Sequence, residues 1–149
     1  MAETFRLEIA APERLLVNEA VTEASIPGEH GVLGILPGHA PLLGELGVGE
    51  LSYTLVTGQR HFMAVGGGYV EISGNHVRVA ALGAEFANEI DVARAEIALK
   101  RAAERVANPL AGVDVARALN AARRAQARLD AAKAAPSDYA GMPGPGLRE

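Results

Sequence analysis

Through the first half of the chain, apolar and polar residues alternate with a period of two. Over residues 4–10, Phe5, Leu7 and Ile9 fall on one side and Thr4, Arg6 and Glu8 on the other, as in a strand with one buried and one wet face. Residues 15–26 continue in short strands, with Val17, Val21 and Ile26 apolar, and Pro27-Gly28 reads as the turn that ends them. Leu33-Gly34-Ile35-Leu36 is a further short strand closed by Pro37-Gly38. Alternation returns over 50–56, where Leu51, Tyr53 and Leu55 oppose Ser52 and Thr54. Thr57-Gly58-Gln59 is a hairpin turn whose glycine can take a positive φ. Residues 60–65 run back, Gly66-Gly67-Gly68 bends the chain, 69–72 resumes, and 76–82 forms a last strand after Ser73-Gly74-Asn75. Short strands at regular spacing, punctuated by turn residues, predict a β-sandwich or barrel over residues 1–87.

Near residue 88 the period changes. Asn88 or Asp91 caps a helix running to about residue 107, with Val92, Ala95 or Glu96, Leu99, Ala102 or Ala103 and Val106 on one stripe. Asn108-Pro109 and Gly112 stop it, and Asp114 caps a second helix with the stripe Val115, Ala118, Leu119, Ala122, Leu129 and Ala132. The short connection predicts an antiparallel α-helical hairpin over 88–135. Alanine at so many facing positions lets the backbones approach but buries little area. At about 25 cal/mol per Å² such a seam holds weakly, so the hairpin should depend on what it docks against. Residues 136–149, with Pro136-Ser137-Asp138 and Pro143-Gly144-Pro145-Gly146, have the composition of a disordered tail.

Length and composition narrow the function. A chain of 149 residues carries one ordinary core, or a small domain with an appendage. No apolar run reaches the roughly 20 residues of a membrane span, and residues 1–16 resemble neither a signal nor a transit peptide. The absence of cysteine excludes disulfides and thiolate metal sites, and bacterial cytoplasm is the simplest compartment. The net charge of −4 hides an asymmetry: residues 1–86 hold ten Glu against four Arg, whereas residues 114–134 hold five basic side chains against two acidic ones. An acidic body with a basic final helix points that helix at an acidic surface or a polyphosphate. The same body, lacking interleaved basic and aromatic residues, argues against nucleic acid. His30, His39, His61 and His76 show no metal-ligand spacing, so no metal is expected. Gly66-Gly67-Gly68 is followed by no lysine and opens no helix, so it reads as a bend or bulge instead of a phosphate cradle. Neither a Gly-x-Ser-x-Gly nor a framed carboxylate pair is present, and no catalytic residue is expected.

The loop over 29–42 reads as either a rigid sheet edge or a preorganised contact surface. Its run Gly31-Val32-Leu33-Gly34-Ile35-Leu36-Pro37-Gly38-His39-Ala40-Pro41-Leu42 resembles the signature loop of the ε-subunit family of F-type ATP synthases. Gly66-Gly67-Gly68-Tyr69-Val70-Glu71-Ile72, Asn75-His76-Val77, Ala84-Glu85 and Glu89-Ile90-Asp91-Val92-Ala93-Arg94-Ala95 are similar to later segments of the same family. The resemblance covers residues 3–133 in order, and the tail after Ala134 is longer than the family leads one to expect.

This resemblance implies a non-catalytic rotor subunit in the central stalk. Its β domain would lie against the γ subunit and the c-ring, coupling proton-driven rotation to ATP synthesis. Glu29, His30, Val32, Pro37 and His39 would face γ and the ring, and His30 and Val32, where some members are acidic, would make that contact less electrostatic. The helices would inhibit ATP hydrolysis by reaching the catalytic α/β subunits of F1, with Arg117, Arg123, Arg124, Arg128 and Lys133 meeting acidic β-subunit surface unless they form only a solvated face. Membrane association would come only through the complex, at the cytoplasmic face of the bacterial inner membrane. Ile90-Asp91-Val92-Ala93-Arg94-Ala95 also fits the family's ATP motif. By matching position, Glu85, Ile90, Asp91, Arg94, Arg101, Arg124 and Arg128 would hold ATP as a regulatory ligand, with no other cofactor required. Asp91 would serve the adenine edge or simply cap its helix. A free-standing ATP-sensing module is the alternative reading.

Overall fold

The computed structural model describes residues 3–108, 110 and 112–135; the tail over 136–149 and Pro109 of the expected helix stop lie outside them. Seven strands, β1 (Phe5–Ala11), β2 (Arg14–Gly28), β3 (Gly31–Ile35), β4 (Leu42–Glu45), β5 (Gly49–Leu55), β6 (Arg60–Ser73) and β7 (His76–Phe86), precede two helices, α1 (Val92–Ala107) and α2 (Val115–Ala134). The strands form one sheet in the order β1-β7-β6-β5-β2-β3, with β4 added to β6. Because β1 also pairs with β2, the sheet closes on itself. The β1–β7 pair is parallel and the others antiparallel.

Two long strands make the closure possible. The first half of β2 pairs with β1 and its second half with β3 and β5, while β6 pairs with β5 over 60–65 and with β4 over 69–72. Each therefore serves both sides of one core, the geometry by which a sheet becomes a sandwich or small barrel. Residues 14–28 are thus one strand where several short ones were expected, and Pro27 and Gly28 pair with Val32 and Gly31 instead of turning. Proline is tolerated there because it lies at a strand end and needs only its carbonyl, which accepts from the Gly47 amide at 2.8 Å.

Likewise β6 runs unbroken through its three glycines. Gly67 and Gly68 have φ of +70° and +121°, so the chain bends while the pairing with β7 keeps one register on both sides. A Cβ on Gly68 would lie on the carbonyl oxygen of Ala80, so glycine is required there by close approach as well as by φ. The bend is present; the bulge is not. β4 went unread because four residues, one of them glycine, carry too short a pattern.

The alternating apolar residues fill the interior: Leu7, Ile9, Val21, Ile26, Leu51, Met63, Val70 and Val79 are almost wholly buried. Tyr53 and His61, cross-strand partners, stack inside with ring centroids 5.3 Å apart. Over 61–65, β6 is buried on both faces. Met63 and Val65 point inward, whereas Phe62 and Ala64 join Ala87, Ile90, Ala127 and Ala131 in a second apolar cluster beneath α2.

Of the two candidate caps for α1, Asp91 is the one used, its carboxylate accepting from the Arg94 amide at 3.0 Å; Asn88 sits in a short 3-10 turn, Ala87–Glu89. Asp114 caps α2 in the same way through the Arg117 amide at 3.1 Å. The expected stripe of α1 holds at Ala95 and Ala102 but leaves Val92 exposed, and Val115 and Leu119 of α2 are also exposed. Instead, α2 packs on both α1 and the sheet: Ala127 and Ala131 are buried against the sheet, and Ala118 and Ala125 are buried outside that cluster. A single-stripe reading places one neighbour beside this helix, and it has two.

Candidate functional site

Where α2 crosses the glycine bend, a cavity of about 630 Å³ opens between helix and sheet. Its floor is made by Gly66, Gly67 and Gly83, which contribute backbone and no side chains. Val48 and Leu82 form apolar walls, and Glu85 enters from β7. From α2 come Asn120, Arg124 and Arg128, spaced four apart and so stacked along one helix face. The Arg124 stem lies over the floor, its Cγ 3.9 Å from where a Gly66 Cβ would stand, and the residue as a whole is exposed. Arg128 Nε donates to Glu85 Oε2 at 3.1 Å, between side chains that are each partly exposed. Two guanidinium groups, an amide and open backbone, with the Glu85 carboxylate beside Arg128, line the recess, and guanidinium groups so placed can receive a phosphate-bearing anion.

The fold distributes the residues of the expected nucleotide site. Glu85, Arg124 and Arg128 line this cavity together. Ile90 is buried in the apolar cluster beneath α2, and Asp91 is engaged as the α1 cap. Arg94 and Arg101 are exposed on α1 and are not among the cavity's lining residues. Asn120, Val48 and Leu82 were missed. For Asn120 a signal existed, its spacing of four from Arg124; Val48 and Leu82 arrive through strand pairing that no local pattern encodes.

The expected partner-contact residues also divide. Glu29 and His30 form the exposed two-residue turn from β2 to β3, with the Glu29 amide donating to the Glu45 carbonyl at 3.1 Å. Val32 follows on the edge strand, 71% exposed. Pro37 and His39 lie beyond the other end of β3, roughly 17 Å away along five strand residues. There the Gly38 amide donates to Asn75 Oδ1 at 2.9 Å, and the His39 Nδ1–H to the Ala40 carbonyl at 2.7 Å. This end of the loop is therefore fastened to the β6–β7 turn. On α2, Arg117, Arg123 and Lys133 are exposed, whereas Arg124 and Arg128 face the cavity.

Two groups have displaced proton affinities. Burial first, and then the Asp130 carboxylate of α2, push the Glu50 carboxyl above its ordinary range, while Arg60 pulls it back. Asp130 is itself held by the Gln126 side-chain amide at 2.8 Å. Burial holds the His61 imidazole below its ordinary range, against the opposing pull of Glu19.

With this geometry in place, similarity to known proteins decides the family. Residues 4–87 match the β-sandwich domain of the ATP synthase delta/epsilon chain, and residues 88–133 match its long α-helix domain. The chain belongs to the ATP synthase delta/epsilon family. An ATP synthase epsilon chain of Solibacter usitatus is 53% identical over 129 residues, spanning 87% of this chain and 96% of the relative. One from Koribacter versatilis is 48% identical over 106 residues, 71% of this chain and 74% of that one. A chain in the Euglena gracilis mitochondrial ATP synthase (OSCP, F1 and c-ring, rotational state 1) shares the fold with a TM-score of 0.78 at 22% identity, covering 87% of this chain and 81% of its own. As a member of this family, the chain is a delta/epsilon-type subunit of ATP synthase. Among the described residues, no helix is long and apolar enough to cross a membrane.

Proposed function

We propose that this subunit, without a catalytic site of its own, couples c-ring rotation to ATP synthesis and restrains ATP hydrolysis through α1 and α2. The supporting observation is how lightly the hairpin is fastened. Among the described residues, the helix side of its apolar cluster with the sheet is all alanine, Ala127 and Ala131 with Ala132 and Ala135 beside them, and the ion pair found between α2 and the strands, Arg128–Glu85, is partly in water. Two packings separated by a few kcal/mol can be exchanged by a partner or ligand. In this reading the exposed turn at Glu29, His30 and Val32 and the fastened end at Pro37 and His39 meet γ and the c-ring. Among the described residues, Arg117, Arg123 and Lys133 are unengaged on the outer side of α2, whereas Arg124 and Arg128 also line the cavity and Arg128 must part from Glu85 to meet the catalytic β subunit. The subunit sits peripherally at the cytoplasmic face of the bacterial inner membrane.

ATP serves in the same reading as a regulatory ligand that favours the docked hairpin, bound at Arg124 and Arg128 with Arg94 and Arg101 recruited from α1. Deleting residues 88–149 should raise the ATPase rate of the assembled complex; an unchanged rate removes the inhibitory role. Calorimetric titration of ATP into the full chain should lose heat with Arg124→Ala and Arg94→Ala, and undiminished binding in both would reject this nucleotide site.

A further inference from the structure

We propose that the outer face of β2, β3 and β5, beside α2, is a docking trough for an extended, cationic segment of a partner protein that carries two basic side chains four residues apart. Strand register builds the trough. Ser25 lies between Gly34 of β3 and Ser52 of β5, and Ser52 in turn opposes Phe62 of β6. Paired residues point to the same side of a sheet, so this row continues outward from Phe62, which belongs to the apolar cluster beneath α2. The small side chains of the row leave two recesses of about 260 and 410 Å³ that share Ser25, Ser52 and Arg60. Together they run along the strands. Leu36 and Val32, 61% and 71% exposed, stand at the β3 margin, one in each recess.

Charge selects the occupant. Glu23 lines one recess and Glu50 the other, and the Asp130 carboxylate of α2 acts on Glu50. None of the ion pairs among the described residues uses these three carboxylates. Arg60 is already engaged, donating to Ser52 Oγ at 3.2 Å and lying 5.4 Å from the Phe62 ring centroid. Thr54 donates to one Glu23 oxygen at 3.1 Å and leaves the other open. Three carboxylates against one committed guanidinium favour a cationic partner. Glu23 pairs with Thr54, four residues along β5 from Glu50, which sets the two anchors about 13 Å apart. Side chains four apart on an extended segment span that distance, whereas on a helix they advance only about 6 Å. A basic side chain seated between Glu50 and Asp130 turns repulsion between strand and helix into attraction. The partner thereby ties α2 to the sheet about 200° around the helix from Arg128.

The test titrates the isotope-labelled full chain with the peptide acetyl-Thr-Lys-Val-Thr-Val-Lys-Thr-amide and follows backbone amide shifts. Saturable shifts should centre on Ser25, Gly34 and Ser52. Glu50→Gln should weaken binding about two- to fivefold, as should a peptide whose lysines are three apart. Glu71→Gln, which removes an exposed carboxylate outside both recesses, should leave binding unchanged. At saturation, amide hydrogen exchange over 124–131 should slow about two- to fivefold. The proposal is overturned by absent shifts, by equal losses in the two variants, by indifference to lysine spacing or by unchanged exchange. The same shifts produced by raising protein concentration alone would make a second copy the occupant and overturn it too.

Discussion

Single atoms decide several features of this chain. At Gly68 a methyl group would collide with the Ala80 carbonyl at a φ of +121°, two independent penalties at the bend that shapes the cavity. Gly68→Ala should cost about 2–4 kcal/mol in chemical denaturation, whereas Gly74→Ala, at positive φ but in open space, should cost only about 1 kcal/mol. The two displaced titrations predict opposite responses to acid. A carboxyl whose affinity for protons is raised by docking favours the docked state below its ordinary value of 4.5 and loses that contribution as pH rises through the raised value. Contacts between α2 and β5 should therefore tighten as pH falls toward 4.5, and Glu50→Gln should make hairpin protection in hydrogen exchange insensitive to pH there. For His61, held below its ordinary 6.5 by burial, the contribution is present above 6.5 and is lost as pH falls through the lowered value. The sandwich should loosen in acid while the hairpin tightens, and separate probes on the two would register opposite slopes.

At the level of elements, the alternation of residues 4–10, 50–56 and 76–82 was legible because each strand has one wet face. β2 and β6 were harder to read for a physical reason. Each changes partner halfway, so its exposed and buried faces are set by different neighbours along its length, and local turn residues such as Pro27 and Gly66 mimic chain ends. The helices were legible through their caps, Asp91 and Asp114, since a short acceptor at the first turn satisfies an amide that nothing else reaches. Which side of α2 lies buried was not, because alanine marks a contact without naming its partner. The nucleotide-site residues found by position gather only in part, Glu85 with Arg124 and Arg128, since α1 keeps Arg94 and Arg101 off that wall. Asp114→Ala should destabilise the docked α2 by about 1 kcal/mol without moving the unfolding of the sandwich. Ala131→Asp, placing a charge at a fully buried position on the sheet, should release α2 outright. Loss of amide protection confined to α1 and α2 would register both effects.

Taken whole, the molecule joins parts of unequal cohesion. The sandwich closes on itself through paired strands around a core of aliphatic and aromatic side chains, while among the described residues the hairpin is attached by alanine contacts and a partly exposed ion pair, against the repulsion of Glu50 and Asp130. A rigid foot suits a part that must transmit torque, and a loosely attached pair of helices suits one that must change position. The most direct test of that division is to forbid the change. A short cross-link between cysteines placed at Val48 and Asn120, which line the same cavity from sheet and helix, would tie α2 down within the assembled ATP synthase. The tied complex should hydrolyse ATP faster than the untied one and return to the lower rate when the link is cut. Equal rates, tied and untied, would contradict the claim that these helices leave the sheet to act.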